Sequence, residues 1–316
     1  MSVLKKSITW QANFKDFMIS IIIPSKNRPK LLIKLLNNLA KQTYKNFEII
    51  VIDQSDHRID ECILKIDLKN KIHYIYNPNI SGLVEAKKIG FDYAESDFIA
   101  FLDDDSRPID TYFENLLNGF ENPEIMGMCG NVLNYEHRGV LKKILYRFFH
   151  RGFFRGERIG SFGTDPISQN LIKTHQLTGG CSIWRRIVFQ TSNFDLNNRF
   201  HYFEDIDFSF RVNKIFPGSL FINLEAKIYD LYDCVGKRNY GQISQNRIEE
   251  SLRIYLKYRN TGDVNIYSWI LYVLGRVLAA IACCISDRSI RPLTGCFLGV
   301  IIAIKNLYSI QMQDKR

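Results

Sequence analysis

Three consecutive carboxylates, Asp103, Asp104 and Asp105, follow the apolar run Phe98-Ile99-Ala100-Phe101-Leu102 and precede Ser106-Arg107-Pro108. Adjacent like charges repel, and hard oxygen donors of this kind suit Mg²⁺ or Mn²⁺ shared with the phosphates of a bound molecule. The same residues also suit a solvated acidic turn leading into the next helix. A second acidic motif, Glu204-Asp205-Ile206-Asp207, opens a stretch whose apolar positions Phe208, Val212 and Ile215 follow helical spacing. Acids at a helix start are favoured by the helix dipole alone, so this motif has a structural explanation beside a chemical one. Between the two lies Gly179-Gly180, a pair that signals close approach of the backbone to another group.

Buried strands must position these groups. Met18 to Pro24, Phe47 to Asp53, Lys71 to Tyr76 and Asp97 to Leu102 read as strands, because their apolar residues run together with little polar alternation. Pro29 to Gln42 reads as a helix with Leu31, Leu32, Leu35, Leu36 and Leu39 on one face, and Gly82 to Ala94 as a second helix. This β-α-β alternation predicts an α/β fold with a mainly parallel sheet, helices on both faces and ligands bound beyond the carboxyl ends of the strands. Met126 to Leu133 reads as a later strand. Arg147 to Arg155, basic and aromatic with little periodicity, reads as a loop or a loosely held helix. No GxGxxG follows the first strand and no GxxxxGK[ST] occurs, so neither phosphate-binding fingerprint is present.

With 316 residues and 46% hydrophobic content, the chain can bury one large core or two smaller ones, which argues against extensive disorder. Seven cysteines without metal-ligand spacing argue against a disulfide framework or a zinc site and fit a reducing, cytoplasmic setting. Residues 1 to 17 lack the apolar core of a signal peptide. A net charge of +9 points to anionic partners, nucleotide or membrane surface among them. No nucleic-acid module is recognisable, and nucleic acid is not expected as a partner.

Near the C-terminus, Ile266 to Ile285 is long enough to cross a bilayer of ~30 Å, but Arg276 falls in its middle. A central arginine costs roughly 2.5–3.5 kcal/mol on insertion, which the Leu, Ile and Val residues nearly offset at roughly −0.3 to −0.6 each. The following run, Pro292 to Ile304, is too short to span, and Arg288, Arg291 and Lys305 flank it. Together they predict a helical hairpin lying on a membrane surface, with spanning or a buried or dimer contact as the alternatives.

Seven ordered segments, SIIIPSKNRP, IIVIDQSD, SGLVEAKKIG, FIAFLDDDSRP, TGGCSIWRR, FEDIDFSFRV and YLKYRN, resemble the inverting glycosyltransferases of family 2, particularly those of bacterial cell-surface polysaccharides, over roughly residues 18 to 260. The resemblance implies a GT-A fold in residues 1–260, with a nucleotide-binding half at about 18–106 and an acceptor half at about 107–260. Residues 261–316 would form the C-terminal membrane-attachment hairpin, with a homodimer left open. It implies transfer of a sugar from a nucleoside diphosphate, a UDP-sugar first, to a hydroxyl of a glycan, lipid-linked, at the cytoplasmic face of the membrane. Peripheral attachment is expected there, spanning remaining the alternative.

Carried over residue by residue, Pro24, Ser25, Asn27 and Asp53 would line the nucleotide pocket, and Gly82 and Lys87 would lie near ribose and phosphates. Asp103, Asp104 and Asp105 would form the D-x-D region, with Asp105 and Asp103 holding Mg²⁺ or Mn²⁺. Asp205 would be the general base, and Glu204, Trp184 and Gly180 would hold the acceptor. Two departures stand out. Where relatives carry a histidine past the base, this chain offers Asp230 and Asp233, which makes Asp230 a candidate third ligand, and Lys88 replaces a usual asparagine. The rival reading is a catalytically silent, membrane-bound subunit that binds a nucleotide sugar or a partner; retention of both acidic motifs argues against it.

Overall fold

The computed structural model describes residues 17–59, 66, 68, 71–80, 82–134, 140–155, 170–198, 201–231 and 239–313. Strands β1 (Ile19–Ser25), β2 (Phe47–Asp53) and β3 (Ile72–Tyr76) pair in parallel, and β1 also pairs in parallel with β4 (Phe98–Leu102). The first two of these and β4 are almost wholly buried, as their continuous apolar runs require. Helix α1 (Pro29–Leu39) takes Pro29 in its first turn and buries all five predicted leucines. Helix α2 (Leu83–Tyr93) lies so close to the sheet that a Cβ on Gly90 would fall 2.4 Å from Ile22 Cγ2.

Beyond β4 the sheet becomes mixed. Its order is β3-β2-β1-β4-β8-β6-β9-β5, with β5 (Ser106–Pro108), β6 (Gly127–Val132), β8 (Cys181–Arg185) and β9 (Leu220–Asp230), while β7 (Leu171–Thr174) pairs with β9. The contacts β4–β8, β6–β8, β5–β9 and β7–β9 are antiparallel, and β6–β9 is parallel. The chain leaves β1 toward β2 on one side and β4 lies on the other. A crevice therefore opens at the carboxyl ends of β1 and β4, where such sheets bind ligands. Helix α3 (Tyr112–Gly119) buries Tyr112, Phe113, Leu116 and Leu117 behind β6 and β9.

Helix α4 (Val140–Phe149) and a 3-10 turn at Gly152–Phe154 occupy most of the basic aromatic stretch expected to be loosely held. Phe153 and Phe154 are instead firm anchors, because they enter a second apolar cluster with Phe210, Tyr258 and Tyr272. A short helix, α5 (Val188–Thr191), precedes α6 (Glu204–Ile215). Phe208 and Val212 of α6 are buried as predicted; Ile215 is the helix's last residue, beyond the packed cluster, and is exposed.

Helices α7 (Tyr240–Tyr258), α8 (Ile266–Asp287) and α9 (Arg291–Gln313) complete the second cluster. The expected hairpin is present, and Arg288 turns the chain between its arms in a left-handed conformation. Its second arm is longer than the apolar run suggested. Gly295 and Gly299 let α9 lie directly on α7: added Cβ atoms would meet Gly241 O at 2.0 Å and Gln245 O at 2.9 Å. Burying these helix faces contributes roughly 1.5–3 kcal/mol per large apolar side chain.

Candidate active site

The acidic turn is built by hydrogen bonds at the end of β4. The Asp103 N–H donates to Gly180 O (3.0 Å), Ser106 N–H donates to Asp103 O (3.0 Å), and Leu231 N–H donates to Asp105 O (3.0 Å). Ser25, at the end of β1, donates its hydroxyl to Asp104 Oδ2 at 2.7 Å and so ties the two strand ends together. Arg28 Nη1 reaches Asp104 Oδ1 at 3.0 Å and Asp105 Oδ2 at 3.2 Å. Sequence reasoning did not select Arg28. The available signal was a cation three residues past the first strand, facing an acid run past the neighbouring one.

Gly179-Gly180 closes the other side, and the expected close approach is to side chains. A Cβ on Gly180 would sit 2.0 Å from Asp103 Oδ2, and one on Gly179 would sit 2.5 Å from Glu204 Oε1 and 2.9 Å from Lys87 Nζ. Lys87, 2% exposed, donates to Glu204 Oε1 (2.6 Å) and to Gly179 O (3.1 Å). It thus joins the donor-side helix α2 to the start of α6, a pairing that the separate assignments of Lys87 and Glu204 to donor and acceptor had not anticipated. Asp205 accepts from Gly179 N–H at 3.3 Å through Oδ2 and from Ile206 N–H at 2.9 Å through Oδ1.

The backbone is tense at this place. Among the described residues, four non-glycines have positive φ, and three of them border the site: Asn27 (57°), His201 (52°) and Phe203 (62°). Such conformations cost energy and cluster at functional sites. Phe203 leads directly into Glu204-Asp205.

The other nominated residues divide. Pro24 is buried in β1. Asn27 clasps the loop after β2, its N–H donating to Ser55 Oγ (2.7 Å) and its side chain exchanging hydrogen bonds with Asp56. Asp53 is 1% exposed and accepts from Ser55 N–H and from the Tyr74 hydroxyl, so only its remaining lone pairs are open to a ligand. Gly82 precedes α2 at φ 94° with open space before it, at a helix N-terminus suited to an anion. Asp230 pairs with Ser106 across β5–β9, one residue along from Asp105. Asp233 lies outside the described residues, as do 135–139 and 156–169 of the implied acceptor half.

Trp184 requires a correction. Its indole is 3% exposed, donates to Ser182 Oγ (3.0 Å), and packs edge-on against Phe208 at 4.9 Å. It points from β8 into the core beneath α6 and presents no face to a sugar. Lys88 forms a surface ion pair with Asp92, one turn along α2.

Charge is out of balance here. Among the described residues, the ion pairs to Asp103, Asp104, Asp105, Glu204 and Asp205 come from Arg28 and Lys87, and Arg107 reaches the Asp104 carbonyl at 3.5 Å, so carboxylates outnumber the cations that meet them. Burial together with Asp105, Asp104 and Glu204 pushes Asp103 up to about 7 although Lys87 opposes it. Burial raises Asp104 against the pull of Ser25 and Arg28, and raises Glu204 against Lys87. Burial opposes the Lys87 charge, yet Glu204, Asp103 and Asp205 outweigh it and leave its pKa raised.

These residues fit a divalent cation by the chemistry of their oxygens and by the clearance that Gly180 leaves before Asp103. Among the described residues no three acid, cysteine or histidine side chains converge as a closed metal cage. An open site with one or two carboxylates completed by ligand phosphates is the usual arrangement for Mg²⁺.

Known proteins share this framework. The chain is similar to glycosyltransferase GlyG of Streptococcus pneumoniae (27% identity; 38% of this chain, 40% of GlyG). It is also similar to the UDP-Glc:alpha-D-GlcNAc-diphosphoundecaprenol beta-1,3-glucosyltransferase WfgD of Escherichia coli (29%; 41% of this chain, 51% of WfgD). It thus spans about half or less of these curated relatives. A Campylobacter jejuni GalNAc(5)-diNAcBac-PP-undecaprenol beta-1,3-glucosyltransferase matches more broadly, at 24% identity over 74% of this chain and 76% of its own. Among solved structures, the mannosyltransferase PcManGT of Pyrobaculum calidifontis, in complex with GDP-Man and Mn²⁺, superposes with a TM-score of 0.56 and 10% identity, covering 90% of this chain and 86% of that one; this likeness shows the GT-A fold. The family model described as Glycosyl transferase family 2 matches residues 20–192, from β1 through the acidic turn to the end of α5. With more than half of its length matched and the strand-end carboxylates in place, the chain belongs to glycosyl transferase family 2.

Proposed function

We propose that this protein is an inverting, divalent-metal-dependent glycosyltransferase that moves a sugar from a nucleoside diphosphate, a UDP-sugar, to a hydroxyl of a lipid-linked glycan in surface polysaccharide synthesis. The observation that carries this reading is the excess of carboxylates over cations where the acidic turn at the β4 end meets Glu204-Asp205 across Gly179-Gly180. An uncompensated acidic cleft needs a cation, and a cation there is matched to a diphosphate. The undecaprenol-linked acceptors in the names of WfgD and the C. jejuni relative support the lipid carrier and a site at the cytoplasmic face of the membrane.

Ser25, Asn27 and Asp53 would hold the nucleotide, with Tyr74 sharing Asp53, and the Gly82 end of α2 would face the phosphates. Asp105 and Asp103 would hold Mg²⁺ or Mn²⁺, with Asp230 beside them. When bound, the metal supplies Lewis-acid stabilisation of the charge developing on the leaving diphosphate. Asp205 takes the proton from the acceptor hydroxyl as its oxygen attacks the anomeric carbon. The bond to the diphosphate breaks on the opposite face, so configuration inverts. Gly179 N–H aims Asp205, and Lys87 holds Glu204 in position beside it.

A thermal-shift panel of UDP, GDP, dTDP and CMP with and without Mn²⁺ tests this. A ligand at 100 times its Kd adds about 2.7 kcal/mol, and we expect that stabilisation with UDP only when Mn²⁺ is present. No shift with any nucleotide overturns the proposal. A shift without turnover of any sugar nucleotide on a lipid-linked acceptor favours a silent binding subunit.

A further inference from the structure

We propose that α4, α8 and α9 form one docking face that lies flat on an anionic lipid bilayer, and that this face holds the site next to a membrane-borne acceptor. The inference rests on the glycosyltransferase reading for its purpose, though not for its evidence. Tyr267, Ile270, Leu274, Leu278, Ile281 and Ile285 recur at helical spacing along α8 and are all at least 41% exposed. Phe297, Ile301 and Ile304 continue the exposed apolar surface on α9. Leu145 and Phe148 add α4, an element the tail hairpin alone did not include, which packs on α8 through Phe149 at Gly275 and His150 at Tyr272. An apolar surface of this extent marks an interaction site.

Charge selects the partner. Residues 264–313 contain Arg276, Arg288, Arg291 and Lys305 against one acid, Asp287, and residues 140–155 contain five Lys and Arg residues and no acid. An apolar stripe with basic flanks suits the interface of an anionic bilayer better than a second, equally basic copy of the same face.

Packing decides orientation. The inner side of α8 is committed: Trp269 donates to Ser251 Oγ (3.0 Å), and Tyr272 stacks on Phe154 at 4.8 Å. The helix α9 is seated on α7, which carries Arg247, Glu249, Glu250, Arg253 and Lys257. A spanning hairpin would have to break this packing or drag those charges into hydrocarbon, so the hairpin lies in the plane of the interface. Tyr272 also meets Phe203 edge-on at 5.6 Å, and Phe203 immediately precedes Glu204-Asp205. The lipid-facing side of α8 is therefore about one helix diameter, ~10 Å, from the start of α6.

The test is flotation of the full-length protein with phosphatidylcholine vesicles, with and without phosphatidylglycerol. Binding is expected to rise at least tenfold with the anionic lipid, and to fall at least tenfold in L274E/L278E and in F148E, while the UDP–Mn²⁺ thermal shift persists as evidence of folding. Unchanged flotation in both variants overturns the face. A concentration-dependent dimer that the same substitutions dissociate, with no vesicle binding by the parent protein, assigns the face to a second copy instead. An impermeant thiol label at Ser289→Cys should react on intact vesicles; reaction only after detergent would show that the hairpin spans and would overturn the flat orientation. Loss of the nucleotide shift in the parent protein, with flotation intact, would defeat the catalytic reading and leave the docking face standing.

Discussion

Helix α6 carries two ionic clusters, and they are built on opposite plans. At its start, Glu204 and Asp205 join the acidic turn across glycines, where among the described residues five carboxylates outnumber the cations that meet them. Two residues on, Asp207 is 1% exposed and accepts from Arg211 (3.1 Å), Lys257 (2.9 Å) and the Tyr258 hydroxyl (2.5 Å). Asp195 pairs with Arg253 and Lys257, and Glu250 with Arg253, so three acids balance three bases. The first cluster is incomplete without something positive; the second is complete and clamps α6 to α7. A charge excess kept in a partly buried cleft costs stability and implies a ligand, whereas a balanced network of the same residue types is framework.

Substitutions can break this contrast. Asp205→Asn should lower transfer by about 10²–10⁴-fold, the usual contribution of a general base, with the UDP–Mn²⁺ shift retained; full activity would remove Asp205 from that role. Asp207→Asn should take the carboxylate from Arg211 and leave Lys257 with Asp195 alone, and cost about 2–4 kcal/mol in denaturant unfolding, below the fully buried case because both cations reach water. The same change at Asp103 should act with the opposite sign. Without metal, Asp103→Asn removes repulsion and should stabilise by about 1–2 kcal/mol, less than its shifted pKa alone implies because the group is only half-buried, while abolishing the Mn²⁺ shift. A destabilised Asp103→Asn would mean that the cleft carries no net strain.

Acidity sharpens the difference. Asp103 sits at about 7 in the folded chain against an ordinary 3.8, so its contribution to stability is whole below about pH 4 and is lost as pH rises through 7. Asp195, although burial opposes it, is held below its ordinary value by Lys257 and Arg253. Its contribution is present above the ordinary carboxylate range and is lost as pH falls toward that lowered value. Melting in EDTA should therefore lose one term on the alkaline side, which Mn²⁺ restores, and another on the acid side, which Mn²⁺ leaves alone. The smallest effect belongs to Lys88→Ala. Its exposed pair with Asp92 should be worth no more than about 0.5 kcal/mol, and an effect on donor affinity would reopen a role for this departure from the family pattern.

Much of the frame was legible because continuous apolar runs bounded by turn residues leave few alternatives for β1, β2 and β4, and because leucines at helical spacing define α1. The acidic turn, the glycine pair and Glu204-Asp205 were legible as chemistry. Phe153 and Phe154 were not, since an aperiodic aromatic stretch looks the same whether it hangs free or fills a core. Trp184 was misread for a related reason: a residue beside a glycine turn can face the cleft or the core, and the register of β8 against β4 and β6 sends this one inward.

The sequence by itself determined the family, the α/β alternation and the presence of two acidic motifs, because local patterns and short-range spacing encode them. Only the tertiary structure decided which charges meet. Lys87 and Glu204 are 117 positions apart, Arg28 and Asp104 76, and Asp207 and Lys257 50, and each pair forms because the sheet order and helix packing bring its elements together. Net charge over a site is a property of that assembly. Two Asp residues on one helix therefore carry opposite meanings that no local pattern distinguishes.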